Sequence, residues 1–218
     1  MKSKLEQGIQ YMQEGKFEEA AKLFTEEIEE HPDNPVGYIN FGNLLDALGD
    51  LDRAVSFYKR AIELDETSAT AYYSLGNVYY QQERFTEAKE MFEHAVQHGL
   101  QEGDVYFMLG FSYVQLGHDK LALPFLQRAT ELNPQDTEAL FQYGLCLAKI
   151  NHLQEAKQIF EQVVQQDEAH ADAYYNLGVV YAFEENEEQA LNMFEKALAH
   201  QADHLLAGNA VRLLKDKQ

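Results

Sequence analysis

Cysteine occurs once in this chain of 218 residues, at Cys146, so no internal disulfide can hold the fold. Only Lys149 stands near it as a cation at helical spacing, and the thiol reads as a small core residue rather than a reactive group. No apolar run approaches the roughly 20 residues of a membrane helix. The opening stretch MKSKLEQGIQYMQEG has no apolar centre of the kind a secretory signal carries. The chain therefore reads as cytoplasmic. Cations are scarce, with 17 Lys and Arg against 37 Asp and Glu and a net charge of −20. Phosphate backbones bind cationic faces, so direct nucleic-acid binding is excluded, and an anionic membrane surface with it. The acidity also keeps an exposed groove soluble.

Catalytic signatures are missing as well. There is no Gly-rich phosphate loop, no nucleophile motif and no His-Glu zinc signature. The expectation is a non-enzyme without cofactor or metal. His94 and His98 stand four apart, a metal-ligand spacing, with Glu90 as a candidate carboxylate, and are read as a solvated pair. His200 and His204 straddle an expected turn. Glu184, Glu185, Glu187 and Glu188 suit the positive end of a helix dipole. At 45% hydrophobic and 12% aromatic, the chain is still too apolar for disorder.

What the chain does have is a period. Glycine recurs at Gly8, Gly42, Gly76, Gly110, Gly144 and Gly178, always 34 residues apart. Twelve positions after each stands an alanine: Ala20, Ala54, Ala88, Ala122, Ala156 and Ala190. Two small residues in fixed register mean one helix pair repeated, with close helix approach at each small residue. Units that touch only their neighbours make a strip of core and a long groove.

Around the glycine the letters are specific. Tyr72, Leu75, Gly76, Tyr79, Ala88 and Phe92 recur as Tyr174, Leu177, Gly178, Tyr181, Ala190 and Phe194. This order resembles the tetratricopeptide repeat pattern, as in small all-repeat bacterial proteins. Departures are Tyr or Leu at the first aromatic position and a terminal proline only at Pro32 and Pro134. The resemblance implies an all-α, right-handed superhelical solenoid in one domain, 1–218. Its repeats are 1–34, 35–68, 69–102, 103–136, 137–170 and 171–204, with a capping helix over 205–218. About thirteen helices and no strand are expected.

Caps support the register. Asn34-Pro35, Ser68 and Asp136-Thr137 stand where the first helix of a repeat, helix A, should begin. Gly15, Gly49, Gly117 and Asn151 stand where it should end. Pro124 falls inside an expected second helix, helix B, and predicts a kink or a shifted start. The final helix carries Arg212 at the glycine position and reads as a solvating cap with Leu206, Val211 and Leu214 on its packed face.

The resemblance also places the concave wall on helix A, at repeat positions two, five, six, nine, twelve and thirteen. Ile39, Tyr73, Phe107, Phe141 and Tyr175 hold the fifth position. Tyr73, Asn43, Asn77 and Asn176 belong to the family background, and Asn40 is a further candidate on the groove wall. The ninth position runs from Asn43 and Asn77 to Phe111, Leu145 and Val179, and Met108 replaces a polar residue at the sixth. Asp104, Glu138 and Asp172 add an acidic rim, which equally suits helix starts. The expected principal site is the wall of the fourth and fifth repeats.

Relatives that hold acidic chaperone tails use a clamp of lysines, arginine and asparagines. Here those positions read Ile39, Asn43, Ser74, Asp104 and Met108, so an acidic tail is rejected. The function expected is a non-catalytic adaptor that binds a peptide segment of a partner protein. That partner should be neutral or basic with apolar anchors. The alternatives are a dedicated chaperone shielding an apolar client segment and a self-assembling scaffold.

Overall fold

The computed structural model describes residues 2–216, and the period reappears in it as helix boundaries. The helices are α1 (Lys4–Gln13), α2 (Phe17–Glu30), α3 (Pro35–Ala47), α4 (Leu51–Leu64), α5 (Ala69–Gln81), α6 (Phe85–Gln97) and α7 (Gly103–Gln115). They continue as α8 (Asp119–Leu132), α9 (Thr137–Lys149), α10 (Leu153–Gln166), α11 (Ala171–Phe183), α12 (Glu187–His200) and α13 (Leu205–Lys215). These thirteen helices, with no strand, account for the regular structure of the described residues. The odd-numbered helices are the A helices and the even-numbered ones the B helices.

The chain groups into two compact units, divided between Leu116 and Gly117. In the first, a Cβ added to Gly42 would lie 2.6 Å from Cε1 of Tyr58. The same build on Gly76 meets Phe92 at 2.7 Å. In the second, Gly144 meets Phe160 at 2.7 Å and Gly178 meets Phe194 at 2.5 Å. In each case a ring sixteen residues on fills the space a side chain would need. The alanines Ala20, Ala54 and Ala88 of the first unit are fully buried, as are Ala122, Ala156 and Ala190 of the second. Small residues thus hold helix A against helix B, the reason inferred from their period.

Local chemistry sets the helix ends. The Asn34 side chain accepts from the Val36 N–H at 3.1 Å, and Asp136 accepts from Ala139 at 3.0 Å. Each satisfies a donor that the helix itself leaves open. Ser68 departs from expectation: it precedes α5 but makes no side-chain cap bond. Two caps lie outside the usual vocabulary. His170 Nδ1 accepts from Ala173 N–H at the start of α11, and His204 Nδ1 accepts from Ala207 N–H at the start of α13, both at 3.2 Å.

After helix A the chain turns through a left-handed residue. Gly49 (φ 77°) and Asn151 (φ 67°) suit that conformation, whereas Glu83 (φ 58°) and Glu185 (φ 57°) are forced into it. Pro124 does not shift a helix start, since α8 begins at the same repeat position as the other B helices. The proline is exposed, and so is Lys120, whose carbonyl loses its helical donor and can bond water. The last helix needs a further correction. Ala207 is its buried residue and Val211 and Leu214 are half-buried, but Leu206 is 58% exposed. Leu206 lies about a third of a turn from the packed stripe, on the open side.

Candidate protein-interaction face

In the first unit the predicted polar residues stand on the A helices α3, α5 and α7, and part of their bonding capacity is already committed. Asn40 is 9% exposed, and its Nδ2 donates to the Val36 carbonyl at 2.8 Å. Asn43 accepts from the Tyr58 hydroxyl at 2.7 Å and from the Ser74 hydroxyl at 3.5 Å. Burial raises the Tyr73 phenol above its ordinary value, with the Asn77 side chain beside it in partial opposition. Tyr80 is likewise raised by burial. These phenols stay neutral at physiological pH.

The apolar part of this face is a run of rings. Phe107 stacks on Phe111 with centroids 5.4 Å apart, and Phe111 stacks on Tyr80 at 5.8 Å. Tyr80 meets Phe85 edge-on at 5.2 Å. Phe107, Met108 and Phe111 are half-buried, so each keeps surface to offer, and Asp104 at the start of α7 is exposed. Met108 also anchors the helix locally, because its carbonyl accepts from the buried Ser112 hydroxyl at 2.7 Å.

The second unit is built differently. Phe141 is 8% exposed, packed against Phe160 at 5.9 Å and the His170 ring at 4.5 Å. It is a core residue there and offers little to a partner, which corrects the expectation of an open anchor. Leu145 and Val179 are half-buried. Glu138 is exposed and accepts from Gln142 at 2.8 Å. Asn176 donates to the Asp172 carbonyl at 2.8 Å. Tyr175 lies between Phe194 at 5.6 Å and His204 at 5.1 Å. His204, 7% exposed, reaches the exposed Asp172 through Nε2 at 3.1 Å.

Two features of this unit escaped the sequence. Phe183 is 70% exposed, and it lines a pocket of about 260 Å³ with Tyr175, Val179, Ala182, Phe194 and Ala210. The signal was present, since Phe183 is the one aromatic at the thirteenth position, where Gln13, Ala47, Gln81, Gln115 and Lys149 stand in the other repeats. The imidazole caps also had a signal. His170 and His204 occupy the same repeat position as Asn34 and Asp136.

The thiol and the paired histidines are each packed against neighbours. Burial, with Asp119 next, pushes the Cys146 thiol up to about 11, so thiolate is scarce at neutral pH. Lys149 lies 2.8 Å from Asp119 and opposes that shift. His94 and His98 stack on Tyr72 at 4.9 and 5.4 Å. Among the described residues no group of three or more His, Cys, Asp or Glu is placed to hold a metal ion. No described helix is long and apolar enough to cross a membrane.

Comparison with known proteins follows the same lines. A family model described as the cilia and flagella-associated protein 70 C-terminal domain matches residues 4–176, and a tetratricopeptide repeat model matches 151–214. The TPR repeat-containing protein YrrB of Bacillus subtilis (strain 168) is 53% identical over 41 residues, 19% of this chain and 20% of that protein. That sequence match therefore spans about a fifth of the curated relative. The crystal structure of YrrB, described as a TPR protein with an unusual peptide-binding site, superposes with a TM-score of 0.85 at 52% identity. It covers 88% of this chain and 99% of that one. Pseudomonas aeruginosa pilF (TM-score 0.79, 18% identity, 99% of this chain and 96% of that one) shares the fold. MamA does so as well (0.72, 23%, 77% and 92%).

Proposed function

Because the chain belongs to the tetratricopeptide repeat family, we propose that it is a non-catalytic adaptor holding a peptide segment of a partner protein on its helix-A faces. The observation that carries this reading is the half-exposed ring run Phe107, Phe111 and Tyr80 on α7 and α5. Partly open aromatic rings in a strongly acidic protein are anchors for a partner more often than idle surface. The likeness to YrrB, a protein described by its peptide-binding site, supports the same reading at 52% identity. Met108 extends the apolar anchor. Asn43 on α3 and Asn77 on α5 carry amides of the kind that bond a peptide backbone whatever its sequence.

Charge narrows the partner. Asp104 is exposed at the start of α7, and the net charge is −20. An acidic tail is repelled, while a neutral or basic segment with apolar anchors is favoured.

The test is Phe107→Ala combined with Phe111→Ala, scored by partner capture from native lysate against the parent protein. Truncating interface aromatics commonly costs about 2 kcal/mol or more, roughly thirtyfold in affinity. Helix content by circular dichroism should stay near that of the parent. Retention of the same partners by the double variant would move the site toward Asn40, Asn43 and Asn77.

A further inference from the structure

Resting on the reading of helix-A faces as partner surfaces, we infer that the second unit holds a separate anchor pocket. It receives one large apolar side chain from a basic amphipathic helix of another protein. The pocket lies on the open side of α11 and α13 with Phe194 of α12 at its base, and its volume of about 260 Å³ suits one aromatic or branched aliphatic side chain. Tyr175, Val179, Ala182, Phe183 and Ala210 form its walls. None of these carries a charge.

The surroundings single out this place. The four most exposed large apolar side chains of the described residues are Leu205 (80%), Phe183 (70%), Leu213 (61%) and Leu206 (58%), all on α13 or at the end of α11. Leu206, Ala210 and Leu213 follow at helical spacing, so they share one face of α13, and Ala210 already lines the pocket. Large apolar side chains gathered on one exposed face in this way mark a surface for association.

Charge identifies the occupant. Asp172, at the start of α11, is exposed and joined through His204 to the pocket wall at Tyr175. Glu185 is exposed just past Phe183, at the other end of the same helix. Glu185 is thirteen positions after Asp172, about 20 Å at the helical rise. The nearby cation Arg212 is bonded to Asn209 at 3.2 Å. A helix with basic residues toward both ends and an apolar anchor midway matches this acid–apolar–acid order. An acidic segment does not. A second copy of the same −20 chain is disfavoured by like charge.

The probe is a fluorescein-labelled amphipathic peptide of roughly 18 residues, about 27 Å as a helix. It has a leucine stripe, a central phenylalanine and lysines toward both ends, and it is titrated against the intact protein by anisotropy. Saturable binding is expected. Phe183→Ser, at an exposed position, and Ala210→Phe, which fills the pocket, should each weaken it about tenfold or more. The same peptide with glutamate for lysine should bind about tenfold more weakly still, and salt should weaken the lysine form. The Phe107→Ala, Phe111→Ala variant should bind the probe as the parent does. The pocket assignment is overturned if Phe183→Ser and Ala210→Phe bind the lysine peptide unchanged, or if the glutamate peptide binds equally well. It also falls if the parent protein alone doubles its mass in light scattering and Phe183→Ser abolishes that. Loss of probe binding in the Phe107→Ala, Phe111→Ala variant alone would leave the adaptor reading standing and this pocket rejected. No saturable binding to any form would reject the pocket, with lysate capture judging the adaptor reading separately.

Discussion

On the helix-A face of the first unit, Asn40 and Asn43 bond within the chain and Tyr80, Phe107 and Phe111 stack as half-covered rings. On that of the second unit, the ring at the fifth position, Phe141, is buried, and the open surface passes to Phe183 and the leucines of α13. Beneath both faces the packing is the same. Gly42 meets Tyr58 and Gly144 meets Phe160 in matching geometry. Close approach tolerates one solution per repeat, whereas the open wall is free to change its chemistry. A repeat protein can therefore keep one core while presenting two different surfaces.

The comparison breaks most readily at the shared core. Gly42→Leu in the first unit and Gly144→Leu in the second each push a side chain into a ring less than 3 Å from the new Cβ. Overfilled cores cost about 1–3 kcal/mol or more. Both variants should lower the midpoint of urea unfolding by similar amounts. A large loss in one and none in the other would mean that the two units do not share the same helix A–helix B contact.

The parts legible in the sequence are those where one residue decides alone. The glycine and alanine period located every helix pair, because only a small residue allows that approach. Asn34 and Asp136 were readable as caps because their oxygens act within three residues. Exposure was not readable in the same way. Ile39 and Phe141 are buried at the fifth position, while Tyr73, Phe107 and Tyr175 are half-buried there. The difference is made by neighbours from other helices, such as the His170 ring over Phe141. Phe183 was overlooked because its own letters resemble a helix end before a run of acids. Its significance comes from Ala210, twenty-seven residues on, across the pocket.

The caps sharpen the comparison at a smaller scale. Asn34→Ala in the first unit removes one bond to an N–H of α3, worth about 1 kcal/mol. His204→Ala in the second removes a cap bond, the link to Asp172 and a buried ring against Tyr175, together about 2 kcal/mol. His204→Asn should fall between them, because it restores the cap and loses the ring. Denaturant midpoints give the order directly. If His204→Asn matches the parent, the imidazole serves α13 only as a cap.

The smallest expected effect has the opposite sign. Every helix A between α1 and α11 is followed at the fifteenth repeat position by a left-handed residue. Gly15, Gly49 and Gly117 adopt it without a Cβ clash, and Asn151 tolerates it. Glu83 in the first unit, at φ 58°, and Glu185 in the second, at φ 57°, pay a steric penalty of about 1 kcal/mol for an L side chain in that region. Glycine removes the penalty but makes the unfolded chain more flexible, which returns part of the gain. Glu83→Gly and Glu185→Gly should therefore each raise stability by roughly 0.5 kcal/mol. The reverse change, Gly49→Glu, should lower it by a comparable amount, since no atom lies within 4 Å of a Cβ built there and only the backbone angle opposes it. Equal shifts at Glu83 and Glu185 would show that this turn obeys the backbone alone in both units. A loss at Glu185 and a gain at Glu83 would show that the Glu185 side chain has work on the surface beside Phe183.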